Sequence, residues 1–127
     1  MITTGDIEDI LIRDLRPFGI ITYKKDAIPE GKVTSERIDV IPKNPIPGKT
    51  WIKRFVEINF CVPDIRGLAN TKRLTELEGQ AVDMRSVAFF KGSTYRYKVY
   101  SNNQEKDTAL EYHFVNVSIL FEILNVR

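Results

Sequence analysis

Cys61 and His113 are the single cysteine and the single histidine of the chain, and on paper they could form a nucleophile and its base. Cys61 lies in the middle of the strand-like segment FVEINFCV, whereas a reactive thiolate is stabilised at a helix N-terminus or an exposed turn. A zinc site on these two residues would need carboxylates at no recognisable spacing. We therefore interpret Cys61 as a buried apolar residue and His113 as a packing or surface residue, with no catalytic and no metal-binding role.

The segment PGKT, residues 47–50, looks like the end of a phosphate-binding loop. The full pattern, G-x-x-x-x-G-K-[ST], requires a glycine at position 43, where the chain has Lys43. Three prolines in this region also remove backbone amides that would otherwise bind phosphate. We expect no nucleotide and no other cofactor.

Acidic residues recur in close pairs, but none of these pairs is accompanied by a base. The pairs fall on predicted helix surfaces or in a turn, where solvated charge is the ordinary interpretation. They are Glu8 with Asp9, Glu76 with Glu78, and Glu105 with Asp107. A small hydrolase or nuclease is therefore the weakest function class, and we predict that the protein is not an enzyme.

The segment YRYKVY mixes basic and aromatic side chains in a way that could stack single-stranded bases. The same alternation is typical of a half-exposed strand. The chain has 19 lysines and arginines against 17 acids, interspersed along the sequence, so no strong electrostatic footprint indicates nucleic acid. A nucleic-acid-binding protein remains the alternative interpretation. Its candidate contacts are Tyr95, Arg96, Tyr97, Lys98 and Tyr100, with help from Lys24, Lys25 and Lys91.

Length and composition predict one domain spanning residues 1–127. One cysteine excludes a disulfide within the chain. The most apolar segment, HFVNVSILFEIL, is interrupted by Asn116, Ser118 and Glu122, so we expect no membrane partner. These features favour a soluble, cytoplasmic protein.

Hydrophobic periodicity predicts an α+β domain, in which two helices pack on a largely antiparallel sheet in the order α-β-β-β-α-β-β. The first helix runs from a capping box at Thr3 and Asp6 to Leu15, before Pro17, and the second begins at Asn70 or Thr71 and continues to Met84 or Val87. The predicted strands are Phe18–Tyr23, Val33–Ile41, Trp51–Val62, Ser93–Tyr100 and Leu110–Leu124.

Alternation within the strands predicts which residues form the core. We expect one apolar face to be buried, consisting of Ile52, Val56, Ile58, Phe60 and Val62 together with Val115, Val117, Ile119, Phe121 and Ile123.

Three segments are too polar or too rich in proline for the core and too long for simple connections: Lys24–Lys32, Pro42–Thr50 and Ser101–Thr108. A stiff proline loop loses little entropy on docking, so Pro42–Thr50 is the preferred contact with another subunit, beside two aromatic anchors. The candidate interface residues are Pro42, Lys43, Asn44, Pro45, Ile46, Pro47, Lys49, Trp51 and Phe55. Ordinary surface loops are the competing interpretation.

The segment FVEINFCVPDIRGLANTKRLTELEGQA resembles the tail-terminator and tail-completion proteins of tailed bacteriophages. In that family a strand ending in an Asn-hydrophobic-x-Val/Ile-Pro stretch is followed by a short loop and a helix like NTKRLTELEGQAVDMRSV. The opening helix DIEDILIRDL and the closing strand YHFVNVSILFEIL also fall where the family would place them.

This resemblance implies a non-enzymatic subunit that closes into a homo-oligomeric ring, commonly a hexamer, on the end of the tail tube. Its partners would be further copies of itself, the tail tube and the head-completion proteins of the neck. The protein would be cytoplasmic during assembly and part of the virion afterwards. The Pro42–Thr50 segment has no counterpart in the family pattern, so no residue is assigned a known contact.

Overall fold

The computed structural model describes residues 1–125 and has the predicted α+β fold. Its six strands form one sheet in the order β1-β2-β3-β6-β5-β4, in which β1 and β2 are parallel and all other neighbours are antiparallel. The elements are α1 (Thr4–Leu15), β1 (Thr22–Lys24), β2 (Arg37–Ile46), β3 (Trp51–Pro63), α2 (Thr71–Ala81), β4 (Arg85–Phe90), β5 (Ser93–Asp107) and β6 (Tyr112–Leu124).

Helix α1 begins at the predicted capping box. The Asp6 backbone N–H donates to Thr3 Oγ1 at 3.2 Å, and the Thr3 backbone N–H donates to Asp6 Oδ2 at 2.9 Å. Two of the donors that a helix start leaves unpaired are thereby satisfied. The buried apolar residues of α1 are Ile7, Ile10, Leu11 and Leu15.

The hydrophobic core lies between the two helices and one face of the sheet, which we call the inner face. Leu74, Leu77 and Ala81 of α2 join the α1 residues there. The predicted strand register is confirmed because Val56, Ile58, Phe60 and Val62 are buried together with Val115, Val117, Ile119, Phe121 and Ile123. Ile52, which was expected in the same core, is only half-buried. Burial of each large aliphatic side chain contributes about 1.5–3 kcal/mol, which makes this core the main stabilising element.

The prediction for the chain after α2 was wrong, because the helix ends at Ala81 and a sixth strand, β4, follows. The β4 segment RSVAFF contains aromatic and β-branched residues, which suit a strand. A two-residue turn at Lys91 and Gly92 connects β4 to β5, and both residues have positive φ, of 49° and 78°. This turn type matches the twist of paired strands, so it fixes β4 beside β5.

The predicted polar turn at Ser101–Thr108 is also a strand for most of its length. β5 continues to Asp107 after an irregularity between Val99 and Ser101, and it remains paired with β6. Polar residues are tolerated here because the strand lies at the sheet edge and its side chains bind α2. Asn102 Nδ2 donates to a Glu78 carboxylate oxygen at 2.6 Å, and Gln104 Nε2 donates to the other at 3.0 Å.

The predicted proline loop is shorter than expected, because residues 42–46 belong to β2. The β2–β3 register shifts between Pro42 and Pro45, and only residues 47–50 lie between the two strands. β1 pairs only with Ile38, Asp39 and Val40, so the rest of β2 is an edge strand, where the missing proline donor is tolerated. Strands β1 and β2 both begin and end later in the sequence than the predicted strands Phe18–Tyr23 and Val33–Ile41.

Candidate assembly interface

The face of the sheet opposite the helices, which we call the outer face, has no helix packed on it in residues 1–125. Its apolar side chains form small surface clusters instead. The Phe55 and Tyr100 rings meet edge to face with centroids 5.1 Å apart, and Tyr100 is 64% exposed. A half-exposed aromatic pair of this kind is suited to contact with another protein.

Trp51 is fixed in place on this outer face by a charged neighbour. The Arg96 guanidinium lies 3.9 Å from the centroid of the Trp51 ring, and Arg96 Nε donates to Glu122 Oε1 at 3.1 Å. Glu122 is itself buried, so its carboxylate holds the guanidinium over the ring. Trp51 and Phe55, the two predicted aromatic anchors, therefore lie on the same strand and the same face.

The proline-rich segment lies at one end of the sheet and is tied to the neighbouring strand. Arg54 Nε donates to the Lys43 carbonyl oxygen at 2.6 Å, and Asn125 Nδ2 donates to the Gly48 carbonyl oxygen at 3.0 Å. A Cβ atom at Gly48 would clash with the Trp51 carbonyl oxygen, so the turn requires glycine there.

Of the nine candidate interface residues, only Pro42 is buried within the subunit. Trp51 and Phe55 are half-buried, and the remaining six are exposed: Lys43, Asn44, Pro45, Ile46, Pro47 and Lys49. Pro45 and Pro47 also line a cleft of about 620 Å³ together with Met1, Ile52 and Leu124. The segment is thus accessible to a partner, with an apolar recess beside it.

Strand β4 provides an apolar surface that was not predicted, because the second helix was expected to continue to Met84 or Val87 and the residues after it were assigned to no element. Val87 and Phe89 project from the outer face and are each 77% exposed. β4 pairs with β5 on one side only and forms one edge of the sheet. The alternation of Val87 and Phe89 with Ser86 and Ala88 is a strand signal that could have identified it.

The five candidate nucleic-acid contacts are divided between the two faces. Tyr95 and Tyr97 are buried on the inner face, where both rings stack against Phe121 at centroid distances of 5.2 and 5.8 Å. They cannot stack bases from that position. Arg96, Lys98 and Tyr100 are exposed on the outer face. Arg96 and Lys98 line a cleft of about 590 Å³ together with Arg85.

The two buried tyrosines anchor α1 to the sheet through their hydroxyl groups. Tyr97 Oη donates to Asp14 Oδ2 at 2.7 Å, and Arg13 Nη2 donates to Tyr95 Oη at 3.0 Å. Burial, followed by the hydrogen bond to Asp14, raises the pKa of Tyr97 far above its ordinary value. Tyr97 therefore remains a neutral donor, and its role in the structure is to position α1.

Cys61 and His113 lie on adjacent strands but on opposite faces of the sheet. Cys61 faces Phe114 on the outer face, whereas His113 pairs with the inner-face residue Val62. Burial, and then the Asp39 carboxylate, raises the pKa of Cys61 to about 12. His113 Nδ1 lies instead 2.6 Å from Asp64 Oδ1. The two side chains are not arranged as a nucleophile and its base.

A buried ion pair lies beneath a second small apolar cluster on the outer face. Arg37 Nε is 3.2 Å from Asp39 Oδ1, and both residues are buried close to Val33, Cys61 and Tyr112. Burial raises the pKa of Asp39 despite the attraction of Arg37. Among residues 1–125, no group of three or more histidine, cysteine, aspartate or glutamate side chains is placed to hold a metal ion.

Neither helix in the described part of the chain combines the length and apolar character needed to cross a membrane. Comparison with models of protein families and with curated proteins gives no match. One solved chain, which carries no functional name, is similar over 100% of this chain and 99% of its own length, with a TM-score of 0.55 and 11% sequence identity. At this identity the similarity concerns the fold alone.

Proposed function

We propose that the protein is a non-enzymatic assembly subunit of a tailed bacteriophage, which forms a ring on the end of the tail tube and joins it to the head connector. The resemblance of the β3–α2 segment to tail-terminator and tail-completion proteins motivates this function. The structural observation that supports it best is the exposed apolar edge strand β4, with Val87 and Phe89 each 77% exposed. A subunit that closes into a ring needs such a surface for its neighbour.

The outer face supports the same proposal. Trp51, Phe55 and Tyr100 are held in defined positions by Arg96 and by each other, so little side-chain entropy would be lost when a partner covers them. Aromatic side chains and arginine are the residues that interfaces favour. We assign this face, together with the exposed residues of the proline segment, to contact with the tail tube or the neck proteins.

Electron microscopy of tail tubes tests this function directly. The probe is a preparation of polymerised tube protein from the same genome, mixed with the purified protein carrying a gold label. We expect label at one end of each tube, because a terminator recognises the last tube ring. A matched variant, Phe55→Ala with Tyr100→Ala, should retain the fold and lose most of the labelling.

The control for this experiment replaces two exposed residues outside the strands that carry these aromatics, Lys72→Ala on α2 with Leu68→Ala in the loop before it, and should label tube ends normally. Label spread along the tube wall, or absent from tubes altogether, would contradict the proposed function. If the Phe55→Ala, Tyr100→Ala variant labels tube ends as well as the control variant does, the proposed function stands but the outer face is excluded as the surface that contacts the tube.

A specific observation favours binding of nucleic acid as the second candidate function. Arg85, Arg96 and Lys98 meet around one outer-face cleft. Contacts between such cations and phosphates release counterions, so affinity must fall steeply as salt rises. Fluorescence anisotropy of a labelled single-stranded oligonucleotide at low and high salt tests this. Arg85→Ala with Lys98→Ala should abolish binding, whereas Lys72→Ala with Lys106→Ala should not.

A further inference from the structure

The open edge of β4 differs from the free parts of β2 and β5. The free part of β2 contains Pro42 and Pro45, and the free part of β5 contains Glu105, Lys106 and Asp107. Proline and charge are the devices that proteins use to prevent edge strands from pairing. From Ser86 to Phe90, β4 has neither. This edge is therefore chemically suited to strand addition.

The hairpin turn determines which backbone groups of β4 point away from the sheet. In a two-residue turn the Phe90 carbonyl faces the Ser93 N–H, so Phe90 directs its backbone groups towards β5. Directions alternate along an antiparallel strand. Arg85, Val87 and Phe89 therefore direct their N–H and C=O groups outwards, and the side chains of the same three residues lie on the outer face.

Strand β1, at the opposite edge of the sheet, presents a matching set of groups. The Ile38 N–H donates to the Ile21 carbonyl at 2.9 Å, and Thr22 is the residue that faces Ile38. In a parallel ladder this makes Tyr23 direct its backbone groups towards β2, whereas Thr22 and Lys24 direct theirs outwards. The side chain of Tyr23 lies on the outer face because it faces Asp39, and Ile21, which is 57% exposed, lies beside it on that face.

Strand directions at the two edges are also compatible. The sheet contains one parallel pair of neighbours, β1–β2, and four antiparallel pairs between β2 and β4. Because four reversals cancel, β4 runs in the same direction as β1. A second copy placed edge to edge, with its helices on the same side, therefore presents β1 parallel to β4. A head-to-tail contact of this kind is the type that generates rings.

We infer that β4 of one copy pairs in parallel with β1 of a second copy, with Val87 facing Tyr23. In this register the Val87 N–H donates to the Thr22 carbonyl and the Lys24 N–H donates to the Val87 carbonyl. The outward backbone groups of Arg85 and Phe89, on either side of Val87, add one hydrogen bond each. The inference names the subunit contact of the proposed ring and so rests on the proposed function.

Charge favours this partner over a symmetric β4–β4 pair. Symmetric pairing would place the Arg85, Arg96 and Lys98 clusters of both copies on the same face and would leave β1 and Ile21 open. Head-to-tail pairing instead places one basic cluster opposite Ile21 and Tyr23, which carry no charge. Lys24 of β1 lies on the inner face, where its Nζ pairs with Asp9 Oδ1 at 2.7 Å. It covers exposed apolar residues of both edges, namely Ile21, Val87 and Phe89.

Disulfide cross-linking tests the register without disturbing the fold. A protein carrying both Val87→Cys and Tyr23→Cys should give, on mild oxidation, a ladder of covalent multimers in non-reducing gels. The single variants Val87→Cys and Tyr23→Cys should remain uncross-linked. A matched control pairs Val87→Cys with Leu68→Cys, since Leu68 is equally accessible, at 72% exposure, but lies in a loop after β3.

The outcomes separate this inference from the proposed ring. Dimers formed by Val87→Cys alone would show symmetric pairing and overturn the inference. If the protein is oligomeric in solution but the Val87–Tyr23 pair gives no ladder, the inference is overturned and the proposed ring is not. The same holds if the control pair gives an equal ladder. A monomer at all concentrations would remove both proposals.

A proline substitution tests the hydrogen bonds themselves. Val87→Pro removes an outward N–H, which an edge strand tolerates, whereas Ala88→Pro removes an N–H that pairs with β5. We expect Val87→Pro to keep the far-UV circular dichroism of the parent and to weaken self-association by at least about tenfold. Ala88→Pro should lower the melting temperature. A folded Val87→Pro protein that assembles like the parent would contradict the inference.

Discussion

The Arg96 guanidinium lies 3.9 Å from the centroid of the Trp51 ring, on the face of the sheet opposite the helices. A buried glutamate, Glu122, holds the guanidinium in that position through a hydrogen bond of 3.1 Å. This arrangement gives the only tryptophan of the chain a fixed orientation on a face that no helix covers in residues 1–125. The relationship is relevant to function, because a rigid aromatic residue is an effective interface anchor.

A double-mutant cycle should measure this contact. We expect Arg96→Ala and Trp51→Ala to be coupled by about 0.5–1 kcal/mol in the free energy of unfolding, since the pair is partly exposed. Urea unfolding of the four proteins followed by circular dichroism gives the value. Lys98→Ala, on the same face but without a ring contact, is the control and should be additive with Trp51→Ala.

Acid should release the contact between α1 and the β4–β5 turn. The Thr3 backbone N–H and then Lys91, whose Nζ lies 2.9 Å from Asp6 Oδ1, lower the pKa of Asp6 to about 2. A carboxylate with a depressed pKa stabilises the folded state above its unfolded pKa, and this contribution is lost between about pH 4 and pH 2. The stability difference between the parent and Asp6→Asn should therefore vanish as the pH falls through this range.

Asp26→Asn is a suitable control for the acid experiment, because Asp26 is exposed. Its effect on the melting temperature should be small at every pH. A difference between the parent and Asp6→Asn that persists unchanged at pH 2 would show that Asp6 acts through something other than its charge.

Tyr97→Phe should destabilise the protein by removing one hydroxyl group. Tyr97 Oη donates to the Asp14 carboxylate at 2.7 Å from a buried position, and hydrogen bonds to charged groups contribute about 1.5–3 kcal/mol. Chemical unfolding measures the loss. Tyr100→Phe removes an exposed hydroxyl and should change stability by less than about 0.5 kcal/mol. Equal effects of the two substitutions would refute the anchoring role of Tyr97.

Much of this architecture could be predicted from the sequence, because the signals were local and strong. The capping box at Thr3 and Asp6 and the alternation from Val56 to Val62 both depend on neighbours in the chain, and both predictions are confirmed. β4 was missed because its six residues follow a helical stripe without a glycine or proline to mark the end of α2. Tertiary pairing with β5 then decided its conformation.

The candidate site was harder to predict, since its residues are brought together by strands distant in sequence. Arg96 meets Trp51 only because β5 and β3 both flank β6. Likewise, the polar segment after Tyr100 looked like a turn. It continues as a strand because it pairs with β6 and its side chains bind Glu78 on α2. Tyr95 and Tyr97 lie on the opposite face of the sheet from Arg96 and Lys98. This follows from strand alternation, once the buried face is known.

Cys61→Ala should cost about 1 kcal/mol or more in stability, because the thiol is buried, and should leave assembly unchanged. In the native parent protein, burial and a pKa raised to about 12 should make Cys61 react slowly with Ellman's reagent at neutral pH. Reaction should become rapid in denaturant. Fast reaction of the native thiol, or loss of assembly in the folded variant, would contradict this structural role.

Native mass spectrometry of the purified protein tests the central proposal most directly. Assembly into a closed ring predicts one discrete oligomer, expected at six copies and about 88 kDa from a chain of 14.7 kDa. Ring closure also predicts that the mass stays fixed as protein concentration rises. A species of 14.7 kDa at every concentration, or an open series of masses without an end point, would contradict the ring.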